Sequence, residues 1–307
     1  MSETVLQTQG LTKYYGSKVA VDHLDLEIPR GCICGFIGRN GAGKTTAIKM
    51  LLGLLKPTAG SARLLGCDCG DLTPEIRRRI GYVTEGHRLI RWMTIARLAQ
   101  FQRAFFPGQW DHKFFTDMID YFELSPKQKI KHLSNGQRAQ VSLALALAPN
   151  PELLIMDDPT LGLDAAIRRQ FLQGMIQLIM KEGRTVLFSS HILADVERVA
   201  DRIAVIDKGV LRANCSLEQF QKSIRKVRLS FAGAPPDQIE VDGVLHSRKS
   251  GHDIELILVG GKDGQVNEWA DKAGAEQVEV INMNLEDQFI EFTAPPEGKR
   301  LFKWEDK

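Results

Sequence analysis

An α/β fold is what this sequence predicts, and three observations carry the prediction. Short apolar runs bounded by turn residues recur through the first two thirds of the chain, among stretches of helical composition. One of them, Cys32 to Ile37, passes through Gly38-Arg39-Asn40-Gly41-Ala42-Gly43-Lys44-Thr45 straight into the helical run Thr46 to Leu52. Two others, Leu153 to Met156 and Thr185 to Ser190, end in Asp157-Asp158 and in His191, at the strand ends where an open α/β sheet binds its ligands.

Taken in order, Val5 to Gly10, Val19 to Ile28 and Cys32 to Gly38 read as strands, with Tyr14-Tyr15-Gly16 between the first two. The third leads into G-x-x-x-x-G-K-T. Glycines let the backbone take φ > 0 and come close to an anion, so that successive N–H groups point at phosphate oxygens. Lys44 supplies a charge near the β- and γ-phosphates, and the Thr45 hydroxyl is set to ligate Mg²⁺. The following helix adds the positive end of its dipole. Three glycines, the Lys-Thr pair and the strand–loop–helix context together outweigh an ordinary glycine-rich turn. Tyr15 has two readings from spacing alone: a ring stacked on adenine, or a packed hairpin tyrosine.

The helix from Thr46 ends at Lys56-Pro57-Thr58-Ala59-Gly60, and Ser61 to Gly66 is a further strand. Ile80 to Gly86 reads as a buried strand running into a polar turn that carries Glu85. From there to about Leu133 the strand pattern gives way to aromatics at helical spacing, from Trp92 to Phe122, which predicts a helical insertion. Part of that stripe is its own core and part is a surface for a partner. Leu133-Ser134-Asn135-Gly136-Gln137 opens a helix from Arg138 to Ala148. The pentapeptide suits either a second anion site or a plain N-cap.

Carboxylates at the end of the buried strand Leu153 to Met156 are costly unless a cation pairs with them, and Mg²⁺ is the natural one beside a phosphate cradle. Asp157 would hold the metal and Asp158 would face the attacking water. Leu161-Gly162-Leu163-Asp164 is a tight turn before a helix to Lys181. His191 is either a ligand-side group or a surface N-cap. Ile203 to Asp207 and Val210 to Ala213 form a hairpin about Lys208-Gly209.

With 307 residues, 43% hydrophobic and 25% charged, the chain accommodates one large domain and a small one. A net charge of +2 leaves no electrostatic footprint of a nucleic-acid binder, and Arg77-Arg78-Arg79 reads as a solvated helix face. Without a charged and apolar leader or an apolar run approaching ~18 residues, the expectation is a cytoplasmic protein that does not cross a bilayer. Five cysteines point to reduced thiols. Cys32 and Cys34 share one strand face. Cys67 and Cys69 could together bind a soft metal, although no further ligand stands nearby in sequence.

In this order the motifs resemble the nucleotide-binding subunit of an ABC transporter, over roughly Val5 to Phe220. By that resemblance Gly38 to Thr46 is Walker A, Leu133 to Gln137 the signature segment, Leu153 to Asp158 Walker B, Leu161 to Asp164 the D-loop, and His191 the switch histidine. The resemblance also implies a P-loop NTPase fold of the ABC type, with a mixed sheet, an antiparallel β subdomain and a helical subdomain. Tyr15 would stack on adenine. Gly38, Asn40, Gly41, Ala42, Gly43, Lys44, Thr45 and Thr46 would hold the ATP phosphates. Ser134, Asn135, Gly136, Gln137 and Asp164 would complete the site held by another protomer, in a head-to-tail dimer of two copies or of this chain with a homologous subunit. Thr45, Asp157 and Glu85 would surround Mg²⁺, with Asp158, His191 and Glu85 in the chemistry.

Three positions depart from the family pattern. Asn135 stands where glycine is usual, and asparagine tolerates left-handed geometry. Glu85 replaces the usual glutamine, as in related drug-exporter-type subunits. Walker B ends Asp157-Asp158 rather than Asp-Glu, so the general base is one methylene short and slow hydrolysis is expected.

The expected domains are 1–221, with the helical part about 86–133, then a small α+β appendage over 222–296 for regulation or dimerisation, and a tail over 297–307. In the appendage Val227 to Phe231, Ile239 to Ser247, Ile254 to Gly260 and Gln277 to Met283 read as strands, and Gln265 to Ala273 as a helix. Leu285 to Phe292 resembles the closing stretch of ABC-2-type exporter subunits. The expected function is ATP hydrolysis powering such an exporter through a separate integral membrane permease, at the cytoplasmic face of the cell membrane. The alternative is a soluble ABC-type ATP switch protein.

Overall fold

Strands of nearly continuous Val, Ile, Leu and Phe belong to sheets covered on both faces, and here they build the central layer. The computed structural model describes residues 3–180, 184–236, 239, 241–260 and 264–294. In chain order the elements are β1 (Thr4–Tyr15), β2 (Lys18–Leu24), β3 (Glu27–Pro29), β4 (Ile33–Ile37), α1 (Lys44–Leu51), β5 (Ala59–Leu64), β6 (Cys67–Asp68), α2 (Pro74–Arg78), β7 (Ile80–Val83), α3 (Ile95–Arg103), α4 (His112–Tyr121), α5 (Asn135–Leu147), β8 (Leu153–Met156), α6 (Ala165–Met180), β9 (Thr185–Ser190), α7 (Leu193–Val199), β10 (Arg202–Asp207), β11 (Val210–Ser216), α8 (Leu217–Ser223), β12 (Ile224–Phe231), β13 (Val244–Ser250), β14 (Asp253–Val259), α9 (Gln265–Ala273), β15 (Ala275–Ile281) and α10 (Leu285–Thr293).

The chain divides between Asn214 and Cys215 into two units. In the first, a six-stranded sheet runs β11-β10-β4-β9-β8-β7, with β10, β4, β9, β8 and β7 mutually parallel. Every residue of β4, β8 and β9 is buried. Each fully buried Phe or Ile, such as Phe36, Phe188 or Ile37, contributes about 2 kcal/mol by leaving water. Because these strands are parallel, their carboxyl ends lie on one edge, and the turns after β4, β8 and β9 meet there.

A second, antiparallel sheet orders β2-β1-β5-β6, with β3 also on β1. Two expectations need correction in it. The first strand does not stop at Gly10: that residue takes φ 56° and the strand continues to Tyr15 with register shifts. The run Val19 to Ile28 is two strands rather than one. At the break, the buried Thr8 hydroxyl donates to the Leu24 carbonyl at 2.6 Å and accepts from Leu26 N–H at 2.8 Å, supplying the hydrogen bonds the ladder lacks.

Helices α3, α4 and α5 pack around their own apolar cluster, including Ile95, Phe115, Ile119 and Val141. Thr94 caps the start of α3 and Asp111 that of α4. The arginine triplet is not simply a solvated face: Arg77 reaches the Leu72 and Leu52 carbonyls, Arg78 the Phe105 carbonyl, and Arg79 pairs with Glu152. All five cysteines are free thiols, and Cys32 and Cys34 pack against the same core.

The second unit has an antiparallel sheet ordered β13-β14-β12-β15 over a core of Val227, Leu229, Leu256 and Ala270. Its second strand starts at Val244 rather than Ile239, because Asp242-Gly243 makes a turn with Gly243 at φ 78°. The fourth strand is Ala275–Ile281 rather than Gln277 to Met283. Residues Leu285 to Phe292 fall within α10. Lys181 and the tail over 297–307 lie outside the described residues.

Candidate active site

The turn after β4 lines a cavity of about 510 Å³ with Asn40 to Thr46, joined by Tyr15, Lys18, Ala20, Glu85 and Asp158. Gly43 caps α1 at φ 110°, and a Cβ there would come within 2.4 Å of the Ala20 carbonyl, so only glycine lets the chain turn this tightly into the helix. Lys44 closes the loop from inside, its ammonium donating to the Gly38 and Arg39 carbonyls at 2.7 and 3.3 Å. Burial pushes this ammonium below its ordinary pKa, opposed by the carboxylates of Asp158, Asp157 and Glu85.

The Asp157-Asp158 pair follows β8, and Ser189 and His191 lie at the end of β9. Asp157, 1% exposed, accepts from the Thr45 hydroxyl at 3.1 Å and from the Ser189 hydroxyl at 2.8 Å. The same Ser189 oxygen accepts from Asp158 N–H at 2.9 Å. Asp158, whose backbone sits at φ 43°, places Oδ1 2.8 Å from His191 Nδ1 and 3.3 Å from His191 N–H. Non-glycine residues in that region carry strain that surrounding structure must hold, and such strain collects at functional sites. One hydrogen-bonded set thus runs from Thr45 through Asp157 and Ser189 to Asp158 and His191.

Oxygen donors from one hydroxyl and one carboxylate suit a hard, water-retaining cation such as Mg²⁺ that takes its other ligands from phosphate and water. Among the described residues no group of three or more His, Cys, Asp or Glu is arranged to hold a metal ion. Glu85 is exposed and stands at the cavity wall.

Tyr15 is half exposed and lines the cavity, with the Lys13 ammonium 5.5 Å from its ring centroid. The cavity lining contains none of Ser134, Asn135, Gly136, Gln137 or Asp164. Ser134 caps α5: its oxygen accepts from Gln137 N–H at 3.1 Å while its own N–H donates to the Gln137 side chain at 3.0 Å. The Ser134 hydroxyl proton stays available to an acceptor. A Cβ at Gly136 would come within 2.6 Å of Ile167, so glycine lets α5 lie close to α6 there. Asp164 caps α6 through Ala166 and Ile167 N–H.

Sequence reasoning missed two side chains here. Ser189 was visible only as the polar end of a buried strand. His87, 3% exposed, lies beside the Pro159 carbonyl and Arg138, and burial pushes its pKa down to about 4. No pattern in the sequence separates it from a surface histidine.

The family model described as "ABC transporter" matches residues 21–161. The chain is 32% identical to the bacitracin transport ATP-binding protein BcrA of Bacillus licheniformis, over 94% of this chain and 96% of that one. It is 33% identical to the daunorubicin/doxorubicin resistance ATP-binding protein DrrA of Streptomyces peucetius, over 71% and 67%. Among solved structures, an ATP-binding subunit of an ABC transporter superposes with a TM-score of 0.64 at 27% identity, covering 71% of this chain and 92% of that one. A dimeric ATP-binding cassette in a post-hydrolysis state, bound to ADP and Pi, superposes at 0.62 with 26% identity, covering 69% and 98%.

Proposed function

This chain belongs to the ABC transporter family of ATP-binding proteins, and from that premise we propose that it is the ATPase subunit of an ABC-2-type exporter working as an ATP-sandwich dimer. The observation that carries the proposal is the hydrogen-bonded set from Thr45 to His191 at the wall of the phosphate cavity. Resistance and transport functions in the names of BcrA and DrrA support export, and coverage of 94% of this chain by the BcrA match extends that support to the appendage.

In the proposed mechanism Tyr15 stacks on the adenine, the Asn40 to Thr46 backbone and Lys44 hold the phosphates, and Thr45 with Asp157 holds Mg²⁺, with Glu85 beside it. Bound there, Mg²⁺ would supply positive charge against the phosphate oxygens. Ser189 keeps the Asp157 carboxylate aimed at Thr45. Asp158 accepts the proton of the attacking water, and its contact with Nδ1 fixes the imidazole of His191. Since Ser134 to Gln137 and Asp164 stand away from the cavity of their own chain, a second copy supplies them, and the signature helix dipole of α5 meets the γ-phosphate. With an aspartate base already engaged by His191, turnover is slow and the ATP-bound dimer long-lived.

No helix among the described residues is long and apolar enough to cross a membrane. In this reading a separate permease supplies the membrane path. The helical region over 86–133 is its docking surface on the cytoplasmic face, where Trp92, Phe101 and Phe105 remain exposed at 66%, 47% and 58%. Copurification from detergent-solubilised membranes tests this: recovery with an integral membrane protein is expected. Quantitative solubility without one would instead favour the switch-protein reading.

A further inference from the structure

Burying a carboxylate is costly unless it is paired and hydrogen-bonded, and Asp195 on α7 is 4% exposed. Its Oδ2 accepts from the Thr160 hydroxyl at 2.8 Å, and its Oδ1 lies 3.5 Å from Nε of Arg168. Burial pushes its carboxyl above the usual range while Thr160, Arg168 and the nearby His191 draw it back.

The three partners sit on three segments that bear site residues. Thr160 follows Asp158 by two residues, Arg168 lies on α6 one turn beyond Asp164, and Asp195 lies one turn beyond His191. The backbone between Asp158 and Asp164 is folded on itself, with Leu161 N–H donating to the Asp158 carbonyl at 3.1 Å and Leu163 N–H to the Thr160 carbonyl at 3.2 Å. Thr160 is 2% exposed and projects from the middle of this stiff turn.

Resting on the assignment of Asp158 and His191 above, we infer that Asp195 is a positioning residue that holds the 158–164 turn in register with the helix after His191. Through Thr160 it sets where Asp158 meets Nδ1 of His191, and through Arg168 it ties that contact to α6, whose start Asp164 caps. The Asp158–His191 pair and the Asp164 turn therefore shift together. A change at the dimer-facing turn reaches the catalytic pair through one buried carboxylate.

The test is ATP hydrolysis by the full chain carrying Thr160→Val, Thr160→Ser, Asp195→Asn or the Thr160→Val/Asp195→Asn pair. Displacing a catalytic group by ~1 Å costs ~10²-fold, so Thr160→Val and Asp195→Asn should each lower kcat by roughly ten- to hundred-fold, leaving KM for ATP within about twofold. Thr160→Ser should keep the wild-type rate. The double variant should be no slower than the slower single one, because both act on one relay: valine removes the hydroxyl that Asp195 holds, and asparagine removes the charge that faces Arg168. If Asp195→Asn fails to fold, the valine and serine variants at position 160 decide alone, since valine keeps the shape and removes the hydroxyl whereas serine keeps the hydroxyl and removes the methyl. Asp158→Asn and His191→Ala run alongside as references. Should they retain the wild-type rate, the assignment of the catalytic pair is wrong. Should they lose it while Thr160→Val and Asp195→Asn lower only the melting temperature, Asp195 is structural and the inference is overturned.

Discussion

Replacing Asp158 by glutamate puts the general-base assignment to a direct test. Asp158 now spends Oδ1 on His191 Nδ1 at 2.8 Å and lies near His191 N–H at 3.3 Å, which draws the carboxylate back towards β9. One methylene advances it by ~1.5 Å. A misplacement of ~1 Å costs ~10²-fold, so Asp158→Glu should raise kcat by roughly ten- to hundred-fold, with KM for ATP little changed because the cradle is untouched. Steady-state phosphate release at saturating ATP and Mg²⁺ measures this, and single-turnover experiments show whether the gain lies in chemistry. A glutamate variant no faster than wild type in both assays would refute the reasoning. It would mean that the Asp158 carboxylate already reaches the water.

Two further predictions concern single side chains. Ser189 is fully buried and serves Asp157 and Asp158 at once, so Ser189→Ala should raise the Mg²⁺ needed for half-maximal hydrolysis by about tenfold, as loss of a partner behind a metal ligand commonly does. An unchanged Mg²⁺ titration would remove Ser189 from the account. Burial pushes the Cys69 thiol up to about 12, so on the order of one in ten thousand is thiolate at pH 8, and maleimide should label it only after unfolding. Native-state labelling at Cys69 as fast as at a free thiol in solution would show that the packing around it opens.

Much of the site was legible because its parts are contiguous or sit at strand ends. The cradle is one octapeptide, and a buried strand that ends in Asp157-Asp158 or in His191 announces a polar edge. The chain's side-chain relays were not legible. Thr160 and Asp195 are 35 residues apart and meet only because β8 and β9 are neighbours, so no local periodicity joins them. Likewise the split of Val19 to Ile28 depends on Thr8, a residue from another strand whose hydroxyl bridges the break. Local sequence gave apolar length there but not the partner that ends it. In the appendage, the Asp242-Gly243 turn cuts into the apolar pattern that runs from Ile239 to Ser247.

The most direct test of the account is nucleotide-dependent association, since a composite site requires two copies. Sedimentation of the Asp158→Asn chain, in which hydrolysis is arrested, should show monomer without nucleotide and dimer with ATP and Mg²⁺. A Lys44→Ala change in the same background should abolish that dimer. A chain that stays monomeric with ATP bound, or that dimerises equally well without nucleotide, would contradict the proposal that Ser134 to Gln137 of one copy complete the cradle of the other.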